Sequence, residues 1–138
     1  MTVFFDTNVL IYSISAVPEE AVKRDAARIV LQRTDGVLSV QVLQEFYTQA
    51  TRPSRPGRLS HGEAASLVRA WTRFKVQDNT LVVLQMALEI TETYRFSYWD
   101  SAVVAAARAA GCSELFTEDL SHGQIVEGVR IINPFKST

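Results

Sequence analysis

Residues 2–13 read TVFFDTNVLIYS: a short apolar run, an aspartate at its end, then a longer apolar segment with helical spacing. Val3 to Phe5 predicts a short buried strand. Val9, Leu10, Ile11, Tyr12 and Ile14 crowd the segment from Thr7 to about Ser15 densely enough for a buried helix. Asp6 therefore falls at the carboxyl end of a buried strand, where a charge is costly unless something pairs with it. Its partners must come from elsewhere in the chain.

Strand-then-helix units continue outward from this stretch. Pro18, Glu19 and Glu20 predict a helix start, with proline in the first turn and acids at the positive end of the dipole, and the helix runs to about Gln32. Gly36 to Leu38 reads as a second strand. Ser39 caps the next helix, about Val40 to Ala50, which carries a polar stripe of Gln41, Glu45 and Gln49. The segment TRPSRPGRLSHG, residues 51–62, interrupts regular structure with two prolines and two glycines. Helices follow from about Ser60 to Phe74, Thr80 to Tyr94, and Tyr98 to Gly111, with a short strand at Lys75 to Gln77. ELFTED gives a strand ending in acids, and VRIINP gives a last, edge strand closed by Pro134. Short strands alternating with helices imply an α/β fold: one domain over residues 1–138, with a short central parallel sheet flanked by helices on both faces.

Composition narrows the class. The 138 residues are 47% hydrophobic and 21% charged, the balance of a soluble globular protein. No apolar run approaches the roughly 20 residues of a membrane span, and the amino terminus lacks the positive region of a secretory signal. Cys112 is the only cysteine, which excludes an intrachain disulfide or a zinc site built on several cysteines. A reducing cytoplasm fits best. The net charge of −1 gives no global attraction to nucleic acid, but Arg52, Arg55, Arg58, Arg69, Arg73 and Lys75 share their interval with Glu63 as its only acid.

The acids explain the opening stretch. In an open parallel sheet, chemistry gathers at the carboxyl ends of the strands. Asp6 and Asp119 stand at two such ends, Asp100 opens a helix, and Glu45 lies on the polar stripe of the helix after the second strand. Two carboxylates about 5 Å apart repel by roughly 3 kcal/mol at an effective dielectric near 20, so a cluster of four needs a cation. Oxygen ligands without accompanying histidine or cysteine suit Mg²⁺ or Mn²⁺, and such an ion acidifies water for attack on a phosphodiester. Taken singly, each acid reads more readily as a cap or turn former than as a metal ligand. Their co-occurrence at one sheet edge favours a metal-dependent hydrolase.

FFDTNVLIY with Asp6, SVQVLQEF with Ser39 and Glu45, YWDSAVVAAA with Asp100, and LFTED with Thr117 and Asp119 together resemble the PIN-domain ribonucleases. The length and the YWD helix start are similar to the toxin component of bacterial VapBC toxin–antitoxin pairs. The resemblance spans Thr2 to about Pro134. It implies an endoribonuclease that cuts RNA (tRNA, rRNA or mRNA) to leave a 5′-phosphate and a 3′-hydroxyl. Asp6, Glu45, Asp100 and Asp119 would be its catalytic acids, holding one or two Mg²⁺ or Mn²⁺ ions. The position two after Thr117 fits the pattern better than its neighbour, so Asp119 is the fourth acid and Glu118 an auxiliary one. Thr7, Asn8, Ser39 and Thr117 suit the orienting of carboxylates and water. Arg52, Arg55 and Arg58 would contact phosphate; Tyr12 and Tyr98 read first as core or rim aromatics, with base stacking the alternative. A cognate antitoxin covering the active site and a homodimer are implied too.

Four alternatives share parts of this pattern. A PIN-like nuclease of RNA processing or of structured DNA would use the same acids, and a non-catalytic RNA- or partner-binding domain would use them only as caps. Receiver-type phosphoacceptor domains need a lysine after a late strand, and dehalogenase-like phosphatases need an aspartate where Asn8 stands.

Overall fold

The structure, a computed structural model, describes residues 2–136, so the ends of the expected 1–138 span lie outside the described residues. Val3, Phe4 and Phe5 form β1 (Val3–Phe5) and are 0% exposed, so both faces of the strand are covered. On either side of β1 run parallel partners, β2 (Gly36–Ser39) and β4 (Glu114–Phe116), in the register Val3 to Gly36 and Val3 to Glu114. Outside them lie β3 (Lys75–Gln77), β6 (Val129–Ile132) and β5 (Ile125–Val126), giving the order β3-β2-β1-β4-β6-β5. The chain thus builds one half of the sheet outward from β1 and then returns to build the other. The switch point falls between β1 and β4, where ligands sit in such sheets.

The helices are α1 (Thr7–Ser13), α2 (Ala21–Val30), α3 (Val40–Ala50), α4 (His61–Trp71), α5 (Leu81–Tyr94) and α6 (Tyr98–Ala109). Local chemistry fixes their ends: Ser39, Thr80 and Ser97 cap α3, α5 and α6, and Ser60 with Glu63 makes a reciprocal capping box on α4. Every residue from Ser101 to Ala107 is buried, because α6 lies across β2, β3, β4 and β6 on one side and meets α5 on the other. Small alanines permit that double approach. Thr91 Oγ1 donates to Ser101 Oγ at 2.8 Å, tying α5 to α6.

Gly36 is required for a different reason than flexibility. A Cβ at this position would stand 2.4 Å from the Phe5 ring and 2.9 Å from that of Phe74, and these two rings pack edge-on at 5.5 Å. Gly36→Ala is expected to cost about 2 kcal/mol by overpacking, lowering the melting temperature by roughly 5–10 °C. A calorimetric scan of the two proteins measures it.

Two expectations need correction. Pro18–Glu20 is a separate 3₁₀ turn, with α2 beginning only at Ala21. The strand of VRIINP is not at the sheet edge: β6 pairs with β4 on one side and antiparallel with β5 on the other. A two-residue turn at Glu127 and Gly128, both at positive φ (50° and 82°), closes that hairpin. Among the described residues no helix is long and apolar enough to cross a membrane.

Candidate active site

Parallel pairing of β1 with β4 sets Phe5 opposite Phe116, so the next residues, Asp6 and Thr117, emerge side by side. The Asp6 amide donates to the Phe116 carbonyl at 3.0 Å, which prolongs the pairing to the acid itself. Asp6 also caps α1: its Oδ1 accepts from the Thr7 amide at 2.7 Å. Oδ2 accepts from Thr117 Oγ1 at 2.8 Å. That hydroxyl in turn accepts from Asn8 Nδ2 and from the Asp119 amide, each at 3.1 Å, so its hydrogen-bonding capacity is filled. Asn8 Nδ2 reaches Asp119 Oδ2 as well, at 3.2 Å. One hydroxyl and one amide thus tie together the ends of two strands.

Glu45 arrives from α3, where Thr7 Oγ1 and Gln41 Nε2 both donate to its Oε1 at 3.3 Å. Asp100 arrives from the first turn of α6. Asp6, Glu45, Asp100 and Asp119 all line one cleft of about 310 Å³, along with Thr7, Asn8 and Glu118. The structure therefore brings the four expected acids to one place.

Their environments differ in a useful way. Asp6 is 6% exposed, and burial lifts its carboxyl to about 7; the Thr117 and Thr7 hydrogen bonds oppose the rise, while Asp119 and Glu45 add repulsion. Burial raises Asp119 too, with Asp100 and Glu118 pushing the same way and the Asn8 amide pulling it down. Repulsion thus couples Asp6 to Asp119 and Glu45, and Asp119 to Asp100. Among the described residues, no three of these carboxylates already form a coordination sphere. The donor set nonetheless fits a hard divalent ion: the four expected acids share the cleft with Glu20 and Glu118, its walls hold no histidine or cysteine, and Asn8 Oδ1 is a buried oxygen without a hydrogen-bond partner. Asp6, Glu45, Asp100 and Asp119 are the residues that would hold it.

Other expected residues fall in distinct places. Glu118 turns toward Tyr12 and Lys23: the Tyr12 hydroxyl donates to Oε1 at 2.5 Å, and Lys23 Nζ to Oε2 at 3.0 Å. Paired in this way, it leaves Asp119 as the acid nearer Asn8. Ser39 Oγ accepts from the Val42 amide at 3.1 Å and lies outside the cleft lining. Of the three loop arginines, only Arg55 lines the cleft; Arg52 and Arg58 are exposed elsewhere. Arg55 Nε is buried without a hydrogen-bond partner. Tyr12 lines the cleft, but Lys23 at 4.8 Å and Phe135 at 4.9 Å already occupy its ring, and Tyr98 packs on the core.

Sequence reasoning passed over Glu20, Gln49 and Trp99, which also line the cleft. Trp99 had a signal in the YWD motif itself, where it stands next to Asp100.

Comparison with known proteins agrees with this geometry. A chain of a toxin–antitoxin complex from Klebsiella pneumoniae superposes with a TM-score of 0.72 at 18% identity, over 96% of this chain and 98% of that one. The sarcin-ricin loop cleaving toxin VapC20 of Mycobacterium tuberculosis gives 0.68 at 21%, over 86% and 92%. A chain of DNA-bound VapBC from Salmonella typhimurium gives 0.66 at 21%, over 95% and 96%. At such identities the likeness is one of fold. No curated protein matches the sequence. The family model for the PIN domain matches residues 3–126, from the first residue of β1 to the end of β5, and the chain belongs to the PIN domain family.

Proposed function

We propose that this chain is a divalent-metal-dependent endoribonuclease and the toxin of a toxin–antitoxin pair. The observation that carries the reading is the convergence of Asp6, Glu45, Asp100 and Asp119, from four separate elements, on one cleft that also admits an arginine. Its likeness in fold to chains of toxin–antitoxin complexes, and to a toxin that cleaves the sarcin-ricin loop, supports the class of partner and substrate. A bound Mg²⁺ or Mn²⁺ would supply neutralising charge, polarisation of the phosphate and an acidified water.

The chain's own groups set the rest. Thr117 and the Thr7 amide hold both oxygens of Asp6, fixing the plane of its carboxylate. Thr7 and Gln41 hold Glu45, and Asn8 holds Asp119, without adding charge. Arg55 makes no ion pair among the described residues, so its guanidinium is free to take a phosphate oxygen at the cleft wall. Hydrolysis in this arrangement leaves a 5′-phosphate and a 3′-hydroxyl. A single domain over residues 1–138, a cytoplasmic location, a homodimer and an antitoxin closing the cleft belong to the same reading.

Expression of wild type and Asp6→Asn in cells, followed by mapping of RNA 5′ ends, tests it. New 5′-monophosphate ends are expected with the wild type and not with the variant. The same ends in both, or cleavage by purified protein that persists in EDTA, would refute the proposal. Thr117→Val provides a finer check. It removes the hydrogen bond that lowers the Asp6 carboxyl, and it leaves the Asn8 amide and the Asp119 N–H each short of an acceptor. Cleavage is expected to fall about 10- to 100-fold, with the midpoint of its pH profile moved upward.

A further inference from the structure

Trp99 is 62% exposed, and it is the only aromatic among the large hydrophobic side chains that the described surface leaves open. Tyr98, Trp99 and Asp100 are consecutive in the first turn of α6, so they point in directions about 100° apart. Tyr98 packs on the core, Asp100 enters the acidic cleft, and Trp99 stands at the cleft's edge. The Tyr98 ring meets the indole edge-on at 5.1 Å and braces it.

A second depression, of about 240 Å³, is lined by Gln41, Gln44, Glu45, Asn79 and Trp99. It shares Glu45 and Trp99 with the acidic cleft, so the two adjoin. Apart from Glu45, its polar side chains are all amides, and each amide presents both donors and an acceptor. A flat indole face beside convergent amides is the equipment that recognises an unstacked nucleobase: the ring stacks, and the amides bond to the base edge. Gln41 also donates to Glu45 at 3.3 Å, which links the depression directly to one of the four acids.

We infer that Trp99, Gln41, Gln44 and Asn79 form a nucleobase subsite that holds one base of a single-stranded RNA beside the bond to be cut. The inference rests on the reading of the cleft as an RNA site and adds a base-recognising element to it. Stacking on Trp99 supplies affinity, and the amides supply preference among bases. Trp99 lines both depressions and precedes Asp100 in the chain, so seating a base there restricts where the adjoining phosphate crosses the acids.

Tryptophan fluorescence reads binding separately from catalysis. Trp71, the other tryptophan, is 5% exposed, so emission that responds to ligand reports Trp99. The Asp6→Asn protein with Mg²⁺ would be titrated with short oligo(U), oligo(A) and oligo(C), and with an abasic ribose-phosphate oligomer of equal length. Saturable quenching is expected with the base-bearing oligomers and not with the abasic one. Trp99→Ala is expected to weaken binding about five- to a hundredfold, Trp99→Phe to restore part of the loss, and Gln44→Ala to change the order of preference among the three bases. Equal quenching by the abasic oligomer, or unchanged affinity in Trp99→Ala, would overturn the subsite. If the protein with Asp6 intact cleaves RNA but Trp99→Ala cleaves and binds as well, the subsite falls and the nuclease reading stands. Base-dependent quenching, together with a protein that cleaves no RNA even with Asp6 intact, supports the subsite and refutes the nuclease.

Discussion

Stripped of divalent ions at pH 8, the Asp6→Asn protein is expected to melt above the wild type, although with Mg²⁺ added its RNA cleavage is expected to be at least about a hundredfold slower. Burial lifts the Asp6 carboxyl from 3.8 to about 7. Keeping it ionised at pH 8 therefore costs the folded state about 4 kcal/mol relative to the unfolded chain. A neutral amide of the same shape removes that cost. Against this stands one hydrogen bond: Asp6 accepts from both the Thr7 amide and Thr117, while asparagine has a single acceptor oxygen. Thr117 is already an acceptor for Asn8 and for the Asp119 amide, so its hydroxyl has little freedom to reverse. Two buried donors left facing each other cost about 1–3 kcal/mol. The balance favours the variant by about 2 kcal/mol, several degrees in melting temperature. Thermal melts in EDTA decide it. A variant that melts at or below the wild type would show that the buried carboxylate is under no electrostatic strain. The conserved shape matters here, because Asp6→Ala would also remove the α1 cap and blur the comparison.

The sequence carried the parts of this site that depend on local chemistry. VFF, GVL and ELF announce strands because apolar runs bounded by caps and turns have few other uses, and the acids that follow inherit their positions from those strands. Asp6 and Asp119 were legible as positions for that reason, Glu45 from the polar stripe of α3, and Asp100 from the first turn of α6. What depended on distant neighbours was not. Glu118, which lines the cleft with Asp119, is held there by Tyr12 from α1 and Lys23 from α2, contacts that no spacing in the sequence announces. Within the loop of residues 51–59, no local signal separates Arg55 from Arg52 and Arg58. The loop is seated by Gly57, where a Cβ would lie 2.8 Å from that of Ala16, and by the Leu59 amide bonded to the Ala50 carbonyl, and this seating turns Arg55 inward. Nothing in the sequence separates Trp99 from Tyr98; only the packing of α6 shows which of the two stays outside. The β5–β6 hairpin escaped notice because a strand of two residues has no periodicity to read.

Proton and metal ion should compete for the same oxygen, so in the wild type the affinity for Mg²⁺ or Mn²⁺ is expected to fall about tenfold for each pH unit below 7 and to level off above it. An ordinary aspartate, near 3.9, would be ionised throughout that range and give no such slope. Asp6, near 7, titrates within it, and Asp119 is raised in the same direction. The ion-free protein supplies the complementary sign. A folded-state value above the unfolded one means that this stability is fully present below about 3.8 and is lost as pH rises through about 7. Asp35 and Glu63 run the other way, since the Arg33 guanidinium and the Ser60 cap hold them below their usual values, but their effect lies around and below pH 4. Between pH 5 and 8 the ion-free protein is therefore expected to become less stable, and added cation to recover more at pH 8 than at pH 5.5. Titration calorimetry at pH 5.5, 6.5 and 7.5, paired with melts in EDTA, measures both slopes. A dissociation constant that ignores pH over that interval, or an ion-free melting temperature that climbs across it, would remove Asp6 from the centre of the metal site. Repeating the series on Asp6→Asn isolates the share of the slope that Asp6 carries, as the difference between the two proteins.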